Sequence, residues 1–274
     1  MALKPYATAE DRLWYYLSRA VCFAVLGFLV LPILIVAPIS FTSGNLLAFP
    51  LPGFSLRWYE SLVETTVWIT AAKNSVVIGL ASSALAMLLG TTAAMGLARS
   101  SFSLKPLIIG LVLSPVLVPI VITAVGIYFA FAAVGLSGTY LGLIIAHTVL
   151  SVPFVVITVT ASLENFDFTL VRAANALGAS PLTAFRRVTL PIVFPGIASG
   201  GLFAFATSFD EIVVTLFLAA PDQRTLPRQL FSGVREYVSP SIAAVATLLV
   251  ILSALLLIVV QLLSRRFNRL SGRK

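Results

Sequence analysis

The chain has 274 residues, of which 59% are hydrophobic and only 10% charged, with a mean hydropathy of +1.05. A soluble chain of this size carries about 25% charged residues, so this one has too few to cover a surface in water and most of its area faces lipid. Its net charge of +8 is no nucleic-acid signature, because the basic residues fall in short segments between apolar runs, where they set membrane orientation.

A helix crosses the hydrocarbon core with about 20 apolar residues, and six runs of that kind follow one another. Residues 1–19 form a leader containing Lys4, Arg12 and Arg19. The first run covers about Ala20 to Ile39. It is too long for a signal-peptide core, and no small-residue cleavage motif closes it. Thr42 to Thr70 then forms a connecting segment in which Trp58, Tyr59 and Trp68 are placed to lie along the membrane surface. The second run, about Asn74 to Ala98, carries Gly79, Ser82, Ser83, Ala86, Gly90 and Ala94, small residues that let helices approach closely.

The third and fourth runs share the charge-free stretch between Lys105 and Glu164. It is too long for one crossing, and Gly135-Leu136-Ser137-Gly138 supplies the turn. The fifth run is about Ile192 to Ala219, and the sixth about Ile242 to Leu263, followed by a basic tail over 264–274. Residues 20–263 are thus read as one transmembrane domain of an all-α, polytopic protein. The runs lack the strict alternation of barrel strands. Pro32, Pro38, Pro115, Pro119, Pro153 and Pro195 each remove a backbone donor and bend a helix.

Six crossings leave both termini on one side. Thirteen of the 18 Lys and Arg fall on that side, and Arg57, Lys73, Arg224, Arg228 and Arg235 on the other. The richer side is expected to be cytoplasmic. Cys22 and His147 are each the only residue of their type, so the sequence offers neither a disulfide nor a metal-ligand set. No catalytic constellation is visible. His147 has no acidic partner in its own run, and its replacement is expected to leave transport intact.

The segment from Leu163 to Pro191 is the longest connection on the cytoplasmic side. Its second half reads as helix, turn, helix. Residues up to Leu177 favour a helix, Gly178 suits a left-handed C-cap, and Ser180 can cap a second helix with Pro181 at its first position. Leu182, Phe185 and Thr189 are expected on one face, with Arg186 and Arg187 turned to water or an acidic partner. Leu190-Pro191 then leads into the fifth run. A paired-helix projection of this kind suits docking into a groove on another protein.

Ala173-Ala174, then Gly178, then nine residues to Val188, then Leu190-Pro191 resembles the EAA loop of binding-protein-dependent ABC importer permeases. The six-run layout is similar to the MetI-like core of that family, the type I importer fold, so the resemblance covers nearly the whole chain. Arg172 stands where the family has a glutamate. The resemblance implies a transport subunit of the bacterial inner membrane, with no catalysis of its own. It also implies two separate ATPase subunits carrying ATP and Mg, a second homologous permease and a soluble solute-binding protein. The coupling residues it implies are Arg172, Ala173, Ala174, Gly178, Ser180, Pro181, Leu182, Phe185, Arg186, Val188, Leu190 and Pro191. The chain has no Gly-x-x-x-x-Gly-Lys-Ser/Thr phosphate loop.

Thr207-Ser208-Phe209-Asp210-Glu211 places two acids inside an apolar run, where charge is costly; either one acid pairs with a neighbouring basic residue or caps a helix break, or Asp210 lines the outer mouth of a passage. Ile192 to Asp210 spans about 27 Å of helix at 1.5 Å per residue, which puts the pair toward the far side of the membrane. Ser-Phe-Asp-Glu, an apolar stretch and Thr225-Leu226-Pro227 look like the polyamine branch of the family, the permeases for putrescine and spermidine. That resemblance makes Thr207, Ser208, Asp210 and Glu211 candidates for the solute passage, with Asp210 favouring a cation and Glu211 suited to a structural role. Opine or amino-acid-derived solutes use close relatives. The loop from Thr225 to Pro240 is a candidate contact for the solute-binding protein, with Tyr237 an interface anchor. An ion-coupled secondary transporter would use the same acids as proton carriers, but it leaves the cytoplasmic projection without a role.

Overall fold

A computed structural model describes residues 8–164, 166–236 and 239–270, without the side chains of residues 260 and 263–270. Lys4, Tyr237, Arg273, Lys274 and the side chains of Arg265, Arg266 and Arg269 therefore lie outside the described residues.

The described residues form helices in the order α1 (Ala9–Ile39), α2 (Arg57–Glu64), α3 (Thr66–Arg99), α4 (Lys105–Leu117), α5 (Ile120–Ala133) and α6 (Tyr140–Glu164). There follow α7 (Thr169–Ala176), α8 (Pro181–Ala184), a π-helical turn (Phe185–Thr189), α9 (Leu190–Phe209), α10 (Val213–Leu218), a 3₁₀ turn (Pro221–Gln223), α11 (Leu226–Glu236) and α12 (Pro240–Leu270). Five helical stretches are long and apolar enough to cross a membrane. Counting the bent pair α4 and α5 as one crossing brings the number to six.

The bend between α4 and α5 is 106°. It falls at Val118–Pro119, where proline disfavours helix in the residue before it. Pro32, Pro38, Pro115, Pro153 and Pro195 instead lie inside continuous helices. The glycine turn expected between the third and fourth crossings is present, with Gly135 at φ 72° and Gly138 at φ 75°.

The core is a three-helix unit of α3, α6 and α9. The small face of α3 is buried, including Gly79, Ser82, Ser83, Ala86, Gly90 and Ala94. Val155 of α6 sits against a glycine of each of the other two helices. A Cβ on Gly90 would lie 2.7 Å from the Val155 Cβ, and one on Gly200 would lie 2.8 Å from its Cα. In lipid, helices gain little from burying apolar area against one another, so close backbone approach and dispersion hold them together. By contrast α1 buries no residue. It touches the rest of the chain mainly through α12.

Three expected boundaries move. The second crossing begins at Thr66, not near Asn74, and so takes Lys73 into its first turns. α1 begins at Ala9, where Thr8 and Asp11 form a reciprocal capping box. The fifth crossing ends at Phe209, not Ala219, and α10 starts afresh at Val213. The aromatic residues expected at the membrane surface also pack inward. Trp58, Tyr59 and Trp68 lie against a cluster of Leu62, Ala244 and Val245, and the Trp58 Nε1–H donates to the Thr42 carbonyl at 2.9 Å.

Candidate coupling loop and solute passage

Two places carry features beyond packing, one at each end of α9. At its N-terminal end the chain enters from α6 through Phe166 and Phe168, whose rings meet edge to face at 5.0 Å. Phe166 is buried in the three-helix core, which fixes where the projecting segment starts. Asp167 follows, and its carboxylate accepts from the Thr169 N–H (2.8 Å) and O–H (2.6 Å). These bonds hold the Asp167 carboxyl below the usual carboxylate range, with the Arg172 guanidinium adding to the effect. Arg172 thus has a local electrostatic role although it replaces an acid.

Helix α7 ends where Gly178 takes φ +85°. The amides of Leu177, Gly178 and Ala179 bond back to carbonyls of Ala173, Asn175 and Ala174, a helix stop that left-handed glycine permits. Ser180 then caps α8, accepting from the Thr183 N–H at 3.3 Å, with Pro181 at the first helical position. The sequence reading of this turn holds in each detail.

The second short helix does not stand apart from the crossing that follows. Pro181 to Phe209 is one unbroken helical run of 29 residues, in which the π-helical turn Phe185–Thr189 absorbs an extra residue before α9. That turn changes which side chains share a face. Ala184 and Thr189 are buried and Val188 packs on the core, while Phe185 and Leu190 are half-buried. Leu182 was expected beside Phe185 and Thr189, but it points outward and is 57% exposed. It lies too near the tip to reach the core.

Leu177, at the turn, is 90% exposed. Ala173, Gly178, Ser180, Pro181, Arg186 and Pro191 are exposed, and Ala174 half-buried. Two exposed leucines flanking a tight turn and edged by Arg172, Arg186 and Arg187 give an apolar knob with a basic rim.

At the other end of α9 the helix stops at Asp210–Glu211. Glu211 is buried and its carboxylate accepts from three successive backbone amides, Val213 (3.0 Å), Val214 (2.9 Å) and Thr215 (3.2 Å). It caps α10, the structural role expected of it, and favours the break because those amides have no helical partner. Asp210 is exposed. It opens on a groove of about 520 Å³ between α9 and α12, lined by Phe203, Thr207, Pro227, Leu249 and Ser253 among others. Among the described residues its carboxylate meets no hydrogen-bond donor or cation. Thr207 shares the groove. Ser208 does not, because it is buried and turned toward α6.

Two residues organise this end: Asn74, which the sequence reading used only to mark the start of a crossing, and His147, whose bonds to two other helices give it a part that the expected dispensability did not foresee. Asn74 donates to the carbonyls of Asp222 (2.9 Å) and Arg224 (3.0 Å) and accepts from the Tyr140 O–H (3.0 Å). It ties α3 and α6 to the loop before α11. His147 lies between Ser208 (2.7 Å) and Thr215 (3.2 Å). An isolated polar residue in an apolar run was the available signal for both, but their partners are 61 to 150 positions away. Arg228 donates to the Ala219 carbonyl at 2.9 Å and the Arg235 guanidinium lies over the Phe231 ring. The arginines of this loop are therefore partly engaged within the chain.

Residues 86–270 match the family model described as the binding-protein-dependent transport system inner membrane component. The chain is 34% identical over 254 residues to the spermidine/putrescine transport system permease protein PotC of Haemophilus influenzae, covering 93% of this chain and 98% of that one. It is 33% identical over 232 residues to the putrescine transport system permease protein PotI of Escherichia coli (strain K12), covering 81% of each. A solved bacterial ABC transporter involved in the import of the acidic polysaccharide alginate contains a chain that superimposes with a TM-score of 0.74 at 15% identity. That match covers 94% of this chain and 99% of that one. The all-helical fold, the broken crossings and the matched length converge, and the chain belongs to the binding-protein-dependent transport system inner membrane components, the multi-pass permease subunits of ABC importers.

Proposed function

We propose that this permease carries a cationic polyamine such as putrescine or spermidine across the inner membrane. The observation that carries the reading is the Asp210 carboxylate. It sits unpartnered at a helix break, on a groove with apolar and hydroxyl walls, in a chain whose relatives include spermidine/putrescine and putrescine permeases. A carboxylate without an internal cation is suited to receive an ammonium group, and low surrounding polarity strengthens that attraction.

Both termini and the 163–191 loop are cytoplasmic in this reading, following the basic-residue bias. The apolar knob at Leu177 and Leu182 docks on one of two ATPase subunits, which hold ATP and Mg. A second, homologous permease completes the passage, and a soluble binding protein delivers the solute to the outer face. Residues 1–19 and 264–274 act as cytoplasmic flanks of the 20–263 transmembrane domain. The unbroken helical run from Pro181 to Phe209 gives the mechanism a direct part. A push on the knob moves a rigid rod whose far end carries Asp210, so ATPase closure shifts the solute groove without an intervening hinge.

The test is ATP turnover by the whole importer in proteoliposomes with its binding protein. Putrescine or spermidine should stimulate hydrolysis, and a neutral sugar or an acidic amino acid should not. Stimulation by opines or amino-acid derivatives alone would replace the polyamine assignment, and uptake driven by a proton gradient without ATP would overturn the importer mechanism.

A further inference from the structure

His147 is the only histidine in the chain and is 0% exposed. From α6 its two ring nitrogens reach two different helices. Nδ1 lies 2.7 Å from Ser208 Oγ in the last turn of α9, and Nε2 lies 3.2 Å from Thr215 Oγ1 in the first turn of α10. Those helices flank the Asp210–Glu211 break. Ser208 Oγ also accepts from Ser82 of α3 at 2.9 Å, and Thr215 Oγ1 donates to the Glu211 carbonyl at 3.4 Å.

Either tautomer makes both contacts. With hydrogen on Nε2, the ring donates to Thr215, whose hydroxyl donates to the Glu211 carbonyl, and the Ser208 hydroxyl donates to Nδ1. With hydrogen on Nδ1, the ring donates to Ser208 and the Thr215 hydroxyl donates to Nε2. Ser82 has one hydroxyl hydrogen, which it shares between Ser208 and the Ile78 carbonyl of its own helix at 2.7 Å. In both tautomers the imidazole joins α6 to α9 and α10. An apolar side chain at 147 would leave the buried Ser208 and Thr215 hydroxyls each one partner short. At its far end α10 is held by the Gly138 N–H, which donates to the Leu218 carbonyl at 2.9 Å, and by Arg228, which donates to the Ala219 carbonyl. At its first turn Val214 packs against an apolar cluster, which is non-directional, and the Glu211 cap is local to the break, so among the described residues His147 is the directional tie from α6 to that turn.

We infer that His147 is a positioning residue for transport: it pins α9 and α10 to α6 on both sides of the break and so holds Asp210 at the groove. The inference rests on the reading of Asp210 as a solute contact. His147 touches neither groove nor solute and acts through Ser208 and Thr215.

The experiment uses the complete importer in proteoliposomes, with His147→Ala, His147→Gln and Thr215→Val compared. Gln can both donate and accept, and Thr215→Val removes the Nε2 link, together with the long Thr215 bond to the Glu211 carbonyl, at nearly constant shape. Putrescine delivered per ATP hydrolysed is expected to fall about threefold to tenfold in His147→Ala, the range that interhelical hydrogen bonds in membranes support. Recovery is expected in His147→Gln. Hydrogen–deuterium exchange over 213–218 should quicken in both His147→Ala and Thr215→Val, with 192–205 unchanged. Unaltered exchange over 213–218, or a Gln variant no better than Ala, overturns the pin. Asp210→Asn separates the two readings. If it transports like the parent while 213–218 loosens in His147→Ala, the solute-contact reading fails and the pin stands. If Asp210→Asn is impaired and exchange is unmoved, the pin alone fails.

Discussion

Gly178→Val tests the coupling loop with little confusion from packing. Gly178 holds φ +85°, and a Cβ placed there would meet nothing within 4 Å. The substitution therefore acts through the backbone alone. Left-handed geometry costs a non-glycine residue about 1–2 kcal/mol, and a β-branched residue stands at the upper end. That lowers the population of the native turn about fivefold to thirtyfold relative to an opened one. Asn tolerates the left-handed region and serves as the control. In proteoliposomes, Gly178→Val is expected to retain ATP hydrolysis but lose most solute uptake, with unchanged protein in the membrane by immunoblot. Gly178→Asn should keep most of the coupling. If Val and Asn variants both couple like the parent, the turn's conformation does not matter to transmission and the docking role of the knob is wrong.

Ala174→Asp puts an acid under the half-buried side of α7 and is expected to uncouple hydrolysis from uptake, read as uptake per ATP. Glu211→Ala strands the amides of 213–215 in a buried site, a loss of about 1–3 kcal/mol that should lower the melting temperature in detergent, while Glu211→Gln, which keeps an acceptor oxygen, should lose less. Asp210→Asn should weaken cationic-solute uptake while the complex still purifies intact; parent-like uptake kinetics would return Asp210 to a structural role. Because the Asp167 carboxyl titrates below its ordinary 3.8, the cap it provides is complete above that pH and is lost only as pH falls through the lowered value. Trypsin cleavage after Arg172 in detergent should accordingly be flat with pH across the neutral range in the parent and raised in Asp167→Ala.

The features legible in the sequence are those set by neighbours along the chain. Gly178, Ser180 and Pro181 dictate a turn because φ preference, capping and a missing N–H act within four residues. The same locality makes the Gly135–Gly138 turn readable, and the small residues of α3 announce a close-packed face. The polarity of Asp210 and Glu211 marked a special place, and the family resemblance suggested how they divide, but nothing in the two residues themselves showed which groups each would meet. Only the fold shows that Glu211 turns back onto three amides while Asp210 opens outward, because the break at Phe209 depends on where those amides fall.

Composition and run length determined that this chain lives in a membrane as a set of helices, since hydrocarbon leaves a backbone no other way to satisfy itself here. Tertiary structure decided what joins those helices. His147 meets Ser208 and Thr215, and Asn74 meets the loop before α11, over separations of 61 to 150 residues. A hydrogen bond between distant segments has no signature in local propensity or periodicity, because its geometry exists only after the helices have packed.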